Sequence, residues 1–170
     1  MRPWGMDGVS TDRVPRVRAR HHDFDAFYGS CWHEVYRPLA VTLRDSDLAA
    51  DAVDEAMARA YGSWRKVRDV DNQQGWVYRV ALNWATSRLR KTRREVRSER
   101  VVDRPVAWAQ PDLDLFDALG SLDLKHRAVV VLRYLLDWSE SEIAEALDVP
   151  NGTVKSRLHR ALGKLREELS

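Results

Sequence analysis

Residues 139–169 read SESEIAEALDVPNGTVKSRLHRALGKLREEL, and the fold is decided there. Ile143, Ala144 and Leu147 recur at helical spacing, DVPNG at 148–152 breaks the period, and Val154, Leu158, Ala161, Leu162 and Leu165 resume it. The pattern predicts two helices about a tight turn, a helix-turn-helix. Ser139 is placed to cap the first helix, with Glu142 three residues on closing a capping box. Asn151 or Thr153 is placed to cap the second, behind a proline that will not continue a helix. Lys155, Ser156, Arg157, His159 and Arg160 fill the positions left by the apolar stripe. One face of that helix therefore packs while the other offers hydrogen-bond donors and positive charge to a DNA groove.

The remaining composition fits such a role. A chain of 170 residues with 44% hydrophobic content suits one or two small domains with modest cores. The formal charge of +2 conceals segregation: 88–104 and 155–166 are basic, whereas 112–123 and 140–148 are acidic. Cys31 stands alone, so there is neither a disulfide framework nor a cysteine-based metal site, and it reads as a core residue in a reducing compartment. No run of about 18 apolar residues exists and the arginine-rich start lacks the apolar core of a secretion signal; membrane insertion and export are not expected, and the chain is read as cytoplasmic.

Upstream, residues 1–22 show no sustained apolar period and are read as a disordered basic arm. Phe24, Phe27, Cys31, Val35, Leu39 and Leu43 step along one helix face, which Pro38 is expected to kink or divide. A second, alanine-rich stripe runs from Leu48 to Trp64. Its opposite side carries Asp51, Asp54, Glu55 and Arg59, a mostly acidic face suited either to solvent or to a basic protein surface. After a polar connection at 66–75, Trp76, Val77, Val80, Ala81, Trp84, Ala85 and Leu89 form a third stripe. The other face of that helix gathers Tyr78, Arg79, Asn83, Ser87, Arg88, Arg90 and Lys91, a mixture suited to phosphates and unstacked bases. Trp76 and Trp84 lie on the apolar side and are read as core. Residues 95–111, with Pro105, lose periodicity and are read as a linker between two helical domains. VVVLRYLL at 129–136 has strand propensity, but it sits between helical periods and is read as a buried helix.

DAVDEAMARAYGSW, GWVYRVALNWATSRLRK and the segment from LKHRAVVVLRYLLDW to the end together resemble an extracytoplasmic-function sigma factor over residues 23–170, in order and spacing. The resemblance implies an all-α protein of two small domains, region 2 at 23–94 and region 4 at 112–170. It implies core RNA polymerase and promoter DNA as partners, room for an anti-sigma factor, a monomer when free, and no cofactor. Carried over by position, Asp51, Asp54 and Glu55 would dock on the polymerase clamp. Tyr78, Arg79, Asn83, Arg88 and Arg90, with the loop at 69–75, would hold the −10 element. Lys155, Ser156 and His159 would meet −35 bases, with Arg157 and Arg160 clamping phosphates and Thr153 completing the −35 site. Asp148 stands where the family commonly has glycine, a substitution that aspartate tolerates better than most residues.

Two other classes compete. A conventional helix-turn-helix regulator would bind duplex DNA unaided, normally as a dimer, yet no dimer coil or ligand pocket is legible. For an enzyme, none of His21, His22, His33, His126 and His159 joins a cluster with metal-ligand or triad spacing, and there is no glycine-rich phosphate loop. No catalytic residue and no metal site is assigned.

Overall fold

Each apolar stripe becomes a helix whose ends are set by local capping chemistry. The computed structural model describes residues 14–95 and 113–170. Within them the order is α1 (Val14–Leu43), α2 (Ser46–Gly62), α3 (Trp64–Val67), α4 (Gln73–Glu95), α5 (Leu113–Ser121), α6 (Leu124–Leu135), α7 (Glu140–Leu147) and α8 (Asn151–Glu168). Asp45 starts α2 by accepting the Leu48 N–H at 2.9 Å, and Asp123 starts α6 by accepting the His126 N–H at 2.9 Å. Ser139 and Glu142 form the expected capping box at α7.

Four local expectations are corrected. α1 begins at Val14, so residues 14–22 of the expected basic arm are helical; Pro15 in the first turn removes only an N–H that the helix would leave unpaired anyway. Residues 1–13 lie outside the described residues, as do 96–112, which hold most of the expected linker. Pro38 does not divide α1, which runs through it, and the Thr42 hydroxyl donates to the Pro38 carbonyl at 2.8 Å. The connection at 66–75 is shorter than its polarity suggested, because α3 adds a turn and Asn72 Oδ1 accepts the Gly75 N–H at 2.7 Å, starting α4 early. Neither Asn151 nor Thr153 caps α8: Pro150 occupies the N-cap and no side chain bonds there, while Asn151 Nδ2 reaches back to Ser141 Oγ at 3.4 Å.

Small side chains set how closely the first helices pack. Ala49, Ala52, Ala56 and Ala60 are fully buried along α2, letting it lie close to Val35 and Leu39 of α1 and to Val77, Ala81 and Ala85 of α4. In the second half, Val129, Val131 and Leu132 of α6, Ile143 of α7, and Val154, Leu158, Ala161 and Leu165 of α8 form the core. The run at 129–136 is helical through Leu135, as its neighbours required. Tertiary contact outweighs β-propensity here, because four consecutive apolar residues are buried only when the element is wrapped on several sides. Most buried side chains of both halves join in one cluster, while Phe24, Ala60, Trp64 and Val67 form a second, smaller one.

The capping box supplies a first test. Ser139→Ala is expected to lower unfolding free energy by about 1 kcal/mol in chemical denaturation. The Ser139 N–H and hydroxyl hold the Glu142 carboxyl below its usual pKa. Its stabilising effect is therefore present above the unfolded-state value and lost as pH falls through the lowered folded one, and the variant should lose that part of the acid dependence.

Candidate nucleic-acid interface

The turn into α8 is sharp because Asp148 adopts a left-handed conformation, φ 54° and ψ 51°, while its N–H returns to the Ala144 and Glu145 carbonyls. Aspartate accepts this conformation where a branched residue would be strained. α8 then divides by face. Val154, Leu158, Ala161 and Leu165 are buried; Lys155, Ser156, His159 and Arg160 are exposed; Thr153 and Arg157 are half-buried. Lys155 Nζ lies 3.9 Å from Glu140 at the start of α7, and the Ser156 hydroxyl bonds the Thr153 carbonyl at 3.0 Å. No side chain bonds at the N-cap of α8, where the positive end of its dipole lies, and the Thr153 N–H donates to the Pro150 carbonyl at 2.9 Å.

α4 distributes its polar residues less simply than the sequence suggested. At about 100° per residue, Arg79, Asn83 and Arg90 share one face. Asn83 and Arg90 are exposed, and Arg79 is half-buried with Nη1 3.8 Å from Asp148 Oδ2. Tyr78 does not belong with them. It is fully buried, its hydroxyl 2.8 Å from Thr42 Oγ1, and burial pushes its phenol pKa up, so it is a neutral core residue. Arg88 lies half a turn round from Arg79, with its guanidinium 5.0 Å over the Trp84 ring. It lines a shallow cleft with Asp51, Asp54, Glu55, Ala58 and Trp84. The two tryptophans read as core, Trp76 and Trp84, are partly buried against it.

On α2, Asp51 and Asp54 are exposed and Glu55 is half-buried. Asp54 accepts the Trp32 indole N–H at 2.7 Å, and Glu55 pairs with Arg59 at 2.8 Å. Trp32 of α1 is a partner of this face that spacing along one helix does not reveal, because the contact is between helices. The loop before α4 is tied down by Gln73 Nε2, which donates to the Arg68 carbonyl at 2.8 Å, and Gly75 at its end is buried.

Two stretches of the chain match family descriptions: Sigma-70 region 2 over residues 27–95, and Sigma-70 region 4 over residues 112–165. The RNA polymerase sigma-E factor of Streptomyces coelicolor is 42% identical over 127 residues, covering 71% of each protein. The ECF RNA polymerase sigma factor SigW of Bacillus subtilis is 32% identical over 194 aligned positions, covering 96% of this chain and 98% of SigW. The chain belongs to the extracytoplasmic-function sigma factors. It is thus an RNA polymerase sigma factor that directs promoter-specific transcription. This sigma factor also resembles a solved structure, the sigma factor RpoE of Bartonella quintana in complex with the anti-sigma factor NepR. The TM-score is 0.73 at 25% identity, covering 86% of this chain and 96% of RpoE. In the sigma factor, region 2 takes in α2, α3, α4 and much of α1, and region 4 takes in α5 to α7 and α8 as far as Leu165. Among the described residues no helix is long and apolar enough to cross a membrane.

Proposed function

We propose that region 4 reads the −35 element through α8, that region 2 holds the −10 element through α4 and the loop at 69–75, and that α2 docks on core polymerase. The observation that carries this reading is α8, whose exposed row of Lys155, Ser156, His159 and Arg160 stands opposite a buried apolar row. A helix of that form enters the major groove with its first turns, where lysine can reach guanine acceptors and arginine a phosphate. Thr153 and Arg157 stand beside these and reach the flanking backbone. On α4, Arg79, Asn83 and Arg90 supply guanidinium and amide groups for phosphates and an unstacked base. Domain limits of 23–94 and 112–170, joined by 95–111, accompany this division. An anti-sigma factor is a further partner, by analogy with the complex of RpoE.

The docking site comprises Asp51, Asp54 and Glu55, and Arg88 belongs beside them rather than with the −10 residues. Trp32 orients the Asp54 carboxylate while leaving it at the surface. Asp51→Lys with Glu55→Lys is expected to weaken binding to core polymerase by roughly tenfold or more, through opposed charge at a complementary interface. Stability should change by only about 1 kcal/mol, since Asp51 is exposed and the Glu55–Arg59 pair lies at the surface. Titration of labelled core polymerase measures the first and thermal unfolding the second; unchanged core affinity would remove α2 from the interface.

A further inference from the structure

Thr86, Leu89, Arg90 and Arg93 repeat along α4 at three and four residues and so share one face. That face lines a cleft of about 500 Å³ together with the turn between α1 and α2 and the turn between α5 and α6. The first turn contributes Arg44 and Asp45. The second contributes Asp123 and, one helical turn on, Arg127.

Two of these arginines are fixed as walls. Arg127 donates to the Leu119 and Leu122 carbonyls at 2.8 and 2.7 Å and to the Thr42 carbonyl at 2.9 Å. The Arg44 guanidinium lies 4.5 Å over the Phe116 ring and 3.8 Å from Asp117. The other two are uncommitted: Arg90 and Arg93 are exposed, and among the described residues neither has a hydrogen-bond or ion-pair partner. Like charges at this spacing repel one another along a helix. The two aspartates do not relieve them, because Asp45 Oδ1 accepts the Leu48 N–H and Asp123 Oδ1 the His126 N–H, each answering the positive end of its own helix. Four guanidiniums against two capping carboxylates leave the cleft positive.

We infer that this cleft binds a free nucleoside polyphosphate, with its phosphates on Arg90 and Arg93 and its base and ribose against the leucines beside them. Guanidinium forks match phosphate oxygens two at a time, and their charge shortens and strengthens the bonds. A bare phosphate would use only that end of the cleft. Leu48, Leu89 and Leu124 line the rest while only half-buried, so they present apolar surface that a flat base would take out of water. The carboxylates of Asp45 and Asp123 add acceptors for ribose hydroxyls or an exocyclic amine, groups that an acyl chain lacks. The volume is that of a small-molecule site. Arg90 is also assigned above to −10 DNA, so an occupied cleft withdraws it from that strand.

The test is equilibrium dialysis of the intact chain against radiolabelled ADP or GDP, with inorganic pyrophosphate and the matching nucleoside as competitors. At least one diphosphate should bind, one per chain, with pyrophosphate and nucleoside each roughly tenfold or more weaker because each fills only part of the cleft. Arg93→Ala should weaken binding by about tenfold or more, as loss of a charge-assisted phosphate contact requires. Arg94, equally exposed and next in the chain, does not line the cleft, and Arg94→Ala should bind as the parent does. Both residues lie in the last turn of α4, so thermal unfolding should move alike in the two variants. Neither belongs to the −10 assignment, and the outcome decides the cleft whatever α4 does with DNA. Failure of both diphosphates to bind at millimolar concentration overturns the site. Pyrophosphate held as tightly as the diphosphate overturns the nucleotide, since charge alone is then recognised. Equal losses in the two variants overturn the cleft, because diffuse charge along α4 would then account for the binding.

Discussion

Tyr78→Ala is expected to cost about 3–5 kcal/mol of unfolding free energy, the cost of emptying an aromatic site in a packed core. The ring is fully buried in the main core cluster, with its hydroxyl against Thr42 of α1. The Thr42 hydroxyl spends its proton on the Pro38 carbonyl at 2.8 Å, so the Tyr78 hydroxyl is the donor in the 2.8 Å bond to Thr42 Oγ1. Burial holds the phenol neutral and able to donate across the working pH range. Tyr78→Phe keeps the ring and loses that bond, so a smaller loss of about 1 kcal/mol is expected. Urea titrations of both variants decide the matter. A phenylalanine variant of parental stability that fails to open promoters would return Tyr78 to the DNA face.

The second large effect belongs to α8. Lys155→Ala or His159→Ala is expected to change which −35 bases are preferred and to cost about 1–3 kcal/mol on the native site, the worth of a direct base contact. Lys155 is held only loosely, 3.9 Å from Glu140 with its side chain largely exposed, so little has to be broken before it turns into a groove. Arg160→Ala should weaken all −35 sequences alike and make initiation less salt-sensitive, since phosphate contacts position DNA without reading it. Transcription of a randomised −35 library by each variant separates the two. Retained preference in the lysine and histidine variants, with a shift in the arginine variant, would exchange readers and clamps.

Elements with a one-sided apolar period were legible in the sequence. Ile143 with Leu147, and Val154 with Leu158 and Leu165, gave both helices of the helix-turn-helix, and Ser139 with Glu142 gave its start. Asp148 took the left-handed turn that its small polar side chain allows. Part of what failed depended on contacts between helices. Tyr78 and Arg79 are adjacent polar residues on one helix, and only the position of Thr42 on α1 sends one inward and leaves the other at the surface. Arg88 was grouped with Arg79 by charge, whereas a half-turn of helix puts it against Trp84 and the acidic cleft. Arg127, just ahead of an apolar run, was passed over. A cation in that position signals a buried partner, but not that the partner is a carbonyl 85 residues away. Pro150 displaced the expected caps because its fixed φ already suits the N-cap position.

The central claim is that this chain gives core polymerase its promoter preference through α8 and α4. The most direct measurement is in vitro transcription of a fragmented bacterial genome by core RNA polymerase with and without the purified chain, mapping every start site. The expected result is a set of starts absent with core alone, sharing one −35 and one −10 sequence at fixed spacing, of which the −35 sequence alone changes with Lys155→Ala. Starts identical with and without the chain, for every bacterial core polymerase tried, would contradict it.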